Sequence, residues 1–461
     1  MEVVYSRCAG LDVHKKTVVA CVLIREGAQV QKEIRTFSTM TSDLLVLHDW
    51  LLAHGVREVA MESTGIYWKP IFNLLEASFR VLLVNAAHIK AVPGRKTDVK
   101  DCEWIAELLS YGLLKASFIP PKPIRELRDL TRYRKSLIDE RVREVNRLHK
   151  LLESANIKLS SVATDVMGVS GRAMLEALLS GSTDPEALAS LARGRLREKL
   201  PELRKVLEGR FGAHHRFMLE QILSHLDFLE QSIEQVSREV ESRLAPFSED
   251  IQRVCTTTGV GQRAAEMIIA EIGVDMSRFP THRHLASWAG ICPSNNESAG
   301  KHKSGKIRKG DRWLYRALIE IAWAAVRSKK SYFYAQYHRL VRRLGKKKAI
   351  VAVAHSLLIV IYHILKDKVP YYELGANYFD QLNLTYLKRH HIKRLETLGY
   401  KVTLEPLEAA AWLKTYFLSY FLSKVTRPFR KMGHVTILDG NLERAIEKAK
   451  KVKDFLKVKA R

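Results

Sequence analysis

An early proline cluster most constrains what this chain can fold into. Pro120-Pro121-Lys122-Pro123 interrupts any regular element, because proline lacks a backbone N–H and holds its φ angle in one narrow range. Strand-like and helix-like segments alternate before this cluster, whereas helical spacing of apolar residues begins at Ile124. At 461 residues the chain is too long for one core, so two to four domains are expected.

The segment before the prolines has the predicted element order β-β-β-α-β-α-β-α. This order is typical of a ribonuclease H-like α/β domain. His14-Lys15-Lys16 is predicted to be the turn between the first two strands, and a Thr-Ser pair at Thr41 is predicted to cap the first helix. The predicted strands are residues 8–13, 17–24, 29–38, 57–61 and 80–84, and the predicted helices are residues 41–54, 67–77 and 97–111.

Four acidic residues fall where such a fold would assemble a metal site. Asp12 lies at the end of the first strand and Glu62 at the end of the fourth, while Asp98 and Asp101 share one face of the last helix. Any one of these acids, taken alone, is more often a surface residue. Together they would repel each other, and hard carboxylate oxygens suit Mg²⁺ or Mn²⁺. Two ions about 3.5–4 Å apart can hold the attacking and leaving oxygens of a phosphoryl transfer.

Two long amphipathic helices follow the proline cluster. Apolar residues recur at spacings of three and four from Ile138 to Leu152 and again from Met218 to Val240. This pattern fits either an antiparallel hairpin within the chain or a coiled coil between two subunits. Arg-rich helix faces of this kind are more often solvated surfaces with ion pairs than nucleic-acid-binding surfaces.

A polar stretch from Ala289 to Arg316 is the most unusual part of the remaining chain. It has almost no apolar residues between Pro293 and Gly310, and it places Ser298 and Ser304 among glycines and basic side chains. Such a loop lets a backbone approach a ligand closely and holds phosphates by charge. The alternative interpretation is a solvated basic loop. Upstream, Gly259-Val260-Gly261 separates two predicted helices and can expose backbone N–H groups to phosphate.

The net charge of +26 favours a nucleic acid as partner. No uninterrupted apolar run of 18 or more residues indicates a membrane span, and the N-terminus lacks a signal-peptide pattern. The five cysteines are scattered, which argues against a disulfide framework and for a reducing cytosol. In the last segment, the basic patch of residues 388–394 and the basic tail have no assigned role.

Five motifs in order resemble transposases of insertion-sequence family 110, subgroup 1111. They are G-L-D-V-H-K from Gly10, M-E-S-T-G from Met61, K-T-D-V-K-D from Lys96, T-G-V-G from Thr258 and P-S-N-N-E-S-A-G-K from Pro293. The resemblance covers roughly residues 5 to 375. It implies a RuvC-like metal domain at residues 1–118, a coiled-coil arm at 119–250 and a transposase domain with a helix-hairpin-helix at 251–375. Residues 376–461 would be a basic extension.

The resemblance also implies the chemistry and the partners. Asp12, Glu62, Asp98 and Asp101 would be the catalytic metal ligands, and Ser298 would be the nucleophile that forms a 5′-phosphoserine, with Ser304 as the alternative. A bridge or seeker RNA encoded by the element would pair with donor and target DNA, and the protein would be a homodimer or homotetramer. The nucleic-acid contacts predicted from residues and resemblance together are Lys96, Lys100, Gly259, Gly261, Lys301, Lys303, Lys306, Arg308, Lys309 and Arg312.

Two other functions fit parts of the pattern. The metal domain alone could hydrolyse DNA, as junction resolvases do, with Ser298 only contacting phosphate. The chain could instead be a non-catalytic nucleic-acid scaffold. Because Asp12 and Ser298 are far apart in sequence, we also expect a composite site with residues from two subunits.

Overall fold

A computed structural model describes most of the chain. The residues that it describes are 2–27, 29–63, 65–85, 89, 101–293, 296–298, 301–304, 307, 310–382, 384–403, 418–419 and 436–437. They belong to two compact units, Met1–Asn377 and Tyr378–Arg461.

A five-stranded sheet forms the N-terminal part. Its strands are β1 Arg7–Val13, β2 Thr17–Glu26, β3 Gln29–Ser38, β4 Glu58–Glu62 and β5 Arg80–Val84. The order across the sheet is β3-β2-β1-β4-β5. The first three strands pair antiparallel, whereas β4 runs parallel to β1 and β5 runs parallel to β4. The prediction of five strands, in this order along the chain, is confirmed within the described residues of this part, with ends that differ by one or two positions.

Helices cover both faces of this sheet. α1 (Thr41–Ala53) and α2 (Trp68–Leu75) pack on the face that carries Leu11. α3 (Asp101–Ser110) packs on the opposite face, which carries Cys8. Since side chains alternate along a strand, even-numbered residues of β1 point towards α3.

α1 begins without the predicted Thr-Ser cap. Met40 is its N-cap residue and makes no side-chain cap hydrogen bond. The backbone of Met40 is extended and Thr41 is already helical, so the Thr-Ser pair lies inside the first turn. The Ser38 hydroxyl instead accepts a hydrogen bond from the Met40 N–H at 3.2 Å. The cap prediction was wrong because the helix starts one residue earlier than such a cap requires.

The proline cluster marks the start of the longest helix of the arm. α4 (Lys122–Ser154) has Pro121 as its N-cap and Pro123 in its first turn. Proline is well tolerated there, because the first N–H groups of a helix have no intrahelical partner. The same residues that end the α/β part therefore begin the helical part.

The arm is an antiparallel pair within one chain. α4 packs against α8 (Ala213–Leu244), and Arg141 near the middle of α4 pairs with Glu230 of α8. Arg243, at the end of α8, pairs with Glu126 at the start of α4, so the helices run in opposite directions. The helices α5 (Val169–Leu179), α6 (Pro185–Ser190) and α7 (Leu200–Leu207) connect the two and share an apolar core with their ends.

A helical core follows the arm. Its elements are α9 Ser248–Cys255, α10 Gln262–Ile272, α11 His282–Trp288, strands β6 Asn296–Ser298 and β7 Lys301–Ser304, α12 Arg312–Ala325 and α13 Tyr332–Asp367. One apolar cluster joins α9 to α13 and also includes Ile124 and Leu127 from the start of α4. The base of the arm is thus part of this core.

α13 is long and apolar enough to cross a membrane by composition alone. Its backbone departs from helical geometry at Gly345, which has φ 75° and ψ 164°, so it consists of two segments. Most apolar residues of the second segment, from Ala349 to Leu365, are buried in the helical core. The burial explains the apolar composition of this helix, because a core helix needs the same residues as a membrane helix.

The second unit contains α14 (Tyr378–Leu382) and α15 (Leu384–Thr397), whose described side chains include none that is fully buried. Two short strands, β8 (Leu418–Ser419) and β9 (Thr436–Ile437), pair antiparallel in the same unit.

Gly10 allows α3 to lie directly on β1. A Cβ atom at Gly10 would lie 2.2 Å from the Cys102 carbonyl oxygen and 2.4 Å from the Ala106 nitrogen. At Gly261, by contrast, a Cβ atom would meet nothing within 4 Å.

We therefore predict that Gly10→Ala loosens the contact between α3 and β1. Amide exchange in both elements, measured by mass spectrometry, should become at least about fivefold faster, because overpacking costs about 1–3 kcal/mol. Gly261→Ala adds the same methyl group in open space and should leave these amides unchanged. Equal effects of the two substitutions would contradict this account.

Candidate active site

Two acidic residues lie at the same level on neighbouring parallel strands. The register between β1 and β4 runs from Cys8 opposite Glu58 to Leu11 opposite Met61. The next step along both strands reaches Asp12 and Glu62. Their side chains share one face of the sheet, and neighbouring strands are about 4.8 Å apart. The structure therefore brings these two predicted site residues together.

His14 contacts the first of these carboxylates. Its Nε2 lies 3.1 Å from Asp12 Oδ2, and the Asp12 side chain is 19% exposed. The sequence interpretation treated His14 only as part of a turn. Its spacing of two residues from Asp12 was the available signal, because residues two apart at a strand end share a face.

α3 brings a third acid to the same end of the sheet. It runs antiparallel to β1, because Ser110 accepts from the Val4 N–H at 2.8 Å and Ala106 O lies 3.4 Å from Cys8 Sγ. Asp101 begins this helix, on the face of the sheet that carries Asp12, and its side chain is exposed. Asp98, Lys96 and Lys100 lie outside the described residues.

The described residues contain no group of three or more His, Cys, Asp or Glu side chains close enough to hold a metal ion. The donor chemistry of the pair nevertheless fits a hard cation, because two carboxylates on adjacent strands repel each other unless a proton or a cation lies between them. The cysteines nearby are unsuited as ligands, since burial raises the pKa of both Cys8 and Cys21 to about 12.

The serine stretch is a β-hairpin rather than a loop. β6 pairs antiparallel with β7, with Ser298 opposite Lys301, and a further bridge joins Pro293 to Ile307. The loop prediction was wrong because main-chain hydrogen bonds hold a two-stranded ribbon without any apolar side chain. Lys303 and Ser304 lie on β7, whereas Lys306, Arg308 and Lys309 lie outside the described residues.

The base of this hairpin is packed tightly. A Cβ atom at Gly310 would lie 2.3 Å from the backbone of both Ala289 and Gly290, so the two legs meet where the hairpin leaves the core. Asp311 then caps α12, accepting hydrogen bonds from Trp313 N–H and Leu314 N–H at 2.9 and 2.8 Å. Arg312, predicted to bind nucleic acid, is the first residue of α12 and is exposed.

A buried ion-pair network holds the Asp311 cap in place. Arg132 of α4 forms two hydrogen bonds to Glu271 of α10, at 2.7 and 2.8 Å, and one to Asp311 at 2.8 Å. Arg128 lies 3.0 Å from the same Glu271 carboxylate, whose side chain is 0% exposed. Burial raises the pKa of Glu271, and the hydrogen bond from Arg132 opposes that rise. Sequence analysis did not identify this network, because no local pattern marks it.

The two glycines of the T-G-V-G motif have different environments. Gly259 has φ +89°, and a Cβ atom there would lie 2.6 Å from Ala325 N at the end of α12. Gly261 is the N-cap of α10 and has open space around it. The requirement at Gly259 is therefore for packing and a left-handed backbone, whereas Gly261 leaves room for a ligand near the helix start.

Two segments of the chain match transposase families. Residues 9–157 match DEDD_Tnp_IS110, described as a transposase, and residues 251–338 match the transposase IS116/IS110/IS902 family. The first segment contains Asp12, Glu62 and Asp101, and the second contains the hairpin with Ser298. A further match, to the phosphoribosylaminoimidazole carboxylase C-terminal domain, covers residues 398–448, most of which lie outside the described residues.

Relatives of this chain have names from transposition and DNA inversion. The transposase for insertion sequence element IS1328 of Yersinia enterocolitica is 25% identical over 57% of this chain and 69% of that protein. An IS110 protein of Streptomyces coelicolor is 26% identical over 60% of this chain and 73% of its own length. The pilin gene-inverting protein of Moraxella bovis is 28% identical over 78% of this chain and 96% of that protein.

We predict that Glu271→Gln destabilises the helical core by about 3–5 kcal/mol, because it removes the buried carboxylate that pairs with Arg128 and one of the two that pair with Arg132. Urea unfolding followed by circular dichroism measures the change. Glu230→Gln removes the same charge from an exposed pair with Arg141 and should cost less than about 1 kcal/mol. Similar midpoints for the two variants would contradict a structural role for Glu271.

Proposed function

Because this chain belongs to the IS110 family of transposases, we propose that it cuts and rejoins DNA through a covalent phosphoserine on Ser298. The observation that carries this proposal is that each of the two matched segments contains a different set of the groups that the reaction needs. The first contains the carboxylates at the sheet edge, and the second contains a serine in a hairpin rich in basic residues.

The N-terminal part, residues 1–118, would be a ribonuclease H-like, RuvC-like domain. Its antiparallel meander followed by parallel strands supports this assignment. Asp12, Glu62, Asp98 and Asp101 would hold Mg²⁺, or Mn²⁺ in its place. When bound, such an ion stabilises the charge that develops on a phosphate under attack. His14 would orient the Asp12 carboxylate through its hydrogen bond.

The serine would perform the strand exchange. Its Oγ attacks the phosphorus of the scissile phosphodiester, a new O–P bond forms, and the bond to the 3′ oxygen breaks. The serine proton passes to a carboxylate of the Asp12–Glu62 pair, and the departing 3′ oxygen takes up a proton. Lys301, opposite Ser298 in the hairpin register, would hold the phosphate. A 3′ hydroxyl of the other strand then attacks the phosphoserine and releases Ser298, so the number of phosphodiester bonds is conserved.

The site would be assembled between subunits. Asp12 belongs to the sheet, whereas the hairpin of Ser298 emerges from the separate helical core between α11 and α12. A coiled coil formed by the arm, residues 119–250, would fix the distance between two such chains in a homodimer or homotetramer. The transposase domain, residues 251–375, would supply a helix-hairpin-helix, with Gly261 and the basic residues of the hairpin on phosphate.

An RNA encoded by the element would select donor and target DNA in the cytoplasm, at the nucleoid. The net charge of +26 supports a nucleic acid as the partner. The basic segment 376–461 would be an extension with further contacts.

A second candidate function is hydrolysis by the metal domain alone. The neighbouring positions of Asp12 and Glu62, one step beyond the paired residues of β1 and β4, favour it, because this arrangement needs no serine. A scaffold without catalysis would instead leave cognate DNA unchanged in the presence of Mg²⁺ and RNA.

We predict that Ser298→Ala abolishes covalent attachment of DNA to the protein. Labelled donor DNA incubated with protein, Mg²⁺ and the element's RNA should give an adduct on a denaturing gel, and the variant should reduce it about 10⁴-fold or more. Ser304→Ala, which alters the neighbouring strand of the hairpin, should retain the adduct. Strand cleavage that persists in Ser298→Ala would favour the hydrolytic alternative.

A mixing experiment tests the shared site. Asp12→Ala and Ser298→Ala proteins are each expected to be inactive, while their mixture should recover recombination because one composite site is then intact. Recombination is read by polymerase chain reaction across the new junction. A mixture no more active than its components would show that each site is built from one chain.

A further inference from the structure

Most arginines of the arm have an acidic partner. These side chains lie on the surface of α4, α5 and α8, where each pairs with an acid of the same helix or of a neighbouring helix. The pairs are Arg141–Glu230, Arg147–Glu144, Arg172–Asp227, Arg238–Glu234 and Arg243–Glu239. The positive charge of the arm is therefore largely compensated.

A group of cations on α13 is different. We call it the basic kink, and it consists of Arg342, Arg343, Lys346, Lys347 and Lys348 on the two sides of Gly345. All five residues are exposed, and within the part of the chain that the structure describes none of them forms an ion pair. Five positive charges on about two turns of chain repel each other, so this concentration does not stabilise the fold.

The local backbone also gives these charges an unfavourable position. Gly345 has φ 75°, and a Cβ atom there would meet nothing within 4 Å. The glycine therefore allows the chain to change direction between the two helical segments. Lys346, Lys347 and Lys348 then occupy the first turn of the second segment, where the helix dipole disfavours positive charge. The buried residues Ala349 and Ile350 follow at once and anchor this turn in the helical core.

We propose that the basic kink binds the sugar-phosphate backbone of duplex DNA. Exposed, uncompensated cations on a rigid support are complementary to a phosphate row, and their binding is driven by release of counterions. Residues 339–348 include no aromatic residue, whereas proteins that grip single strands stack bases on aromatic side chains. The contact would therefore position a duplex without reading its sequence.

This surface lies beyond the segment that matches the transposase family, which ends at residue 338. The proposed binding rests on the family's action on DNA and not on the role of Ser298, because binding to the sugar-phosphate backbone requires no strand cleavage. Its place on the same core as α12, which begins at the base of the hairpin, would let a bound duplex extend towards Ser298.

The test is equilibrium binding of the full chain to a random-sequence duplex of about 30 base pairs, at several salt concentrations and without Mg²⁺. The variant carries Arg342→Gln, Arg343→Gln, Lys346→Gln and Lys347→Gln. We expect the slope of log Kd against log salt to fall by about 2–4 and Kd to rise at least about tenfold at low salt, since each phosphate contact releases about one counterion.

Two controls separate this contact from general charge and from misfolding. A charge-conserving variant at the same positions should bind duplex DNA like the wild type. A variant that neutralises four paired arginines of the arm should keep most of the wild-type slope of log Kd against log salt. The substitutions of the first are Arg342→Lys, Arg343→Lys, Lys346→Arg and Lys347→Arg. The substitutions of the second are Arg141→Gln, Arg147→Gln, Arg238→Gln and Arg243→Gln.

The same variants are titrated with a single-stranded RNA of similar length, about 30 nucleotides. RNA binding that changes less than about twofold supports a duplex surface. The proposal is overturned if the Gln variant of the basic kink keeps the wild-type salt slope on duplex DNA, or if the arm variant loses as much of that slope as the Gln variant does. It is also overturned if the Gln variant loses as much affinity for RNA as for duplex DNA. Because no cleavage is measured, these results are independent of whether Ser298 is the nucleophile.

Discussion

The buried carboxylate of Glu271 sets the geometry on which the helical half of the molecule depends. A charge removed from water is costly unless it is fully paired, so Arg128 and Arg132 of α4 must lie where α10 presents this residue. Arg132 also reaches Asp311, which caps α12 at the end of the serine hairpin. One network thus joins the base of the arm, the helix after the T-G-V-G turn and the hairpin.

The N-terminal half uses a different constraint, a close backbone contact. The missing side chain of Gly10 lets α3 lie against β1, with the start of the helix towards the end of the sheet that carries Asp12 and Glu62. An acid at the start of a helix and two acids on adjacent strands then share one face. Elements remote in sequence meet there because each is held by backbone packing rather than by the charged groups themselves.

Much of the local structure could be predicted from residue patterns. Alternation in β2 and the turn residues around Gly27 mark the meander, and Pro121 and Pro123 mark the start of α4. The serine stretch was missed as a hairpin because its strands are polar on both sides and carry no period-two apolar signal. His14 was missed as a partner of Asp12 because a turn residue and a ligand partner look alike in one sequence.

By itself, the sequence determined the order of strands and helices along the chain, the two long helices, the acids at strand ends and the excess of basic residues, since each follows from short-range spacing and composition. Only the tertiary structure decided that Asp12 and Glu62 are neighbours, that α4 pairs with α8 in the same chain, and that Glu271 is the common partner of Arg128 and Arg132. Such contacts join residues tens to more than a hundred positions apart, and they depend on register, close packing and burial, which no local pattern encodes.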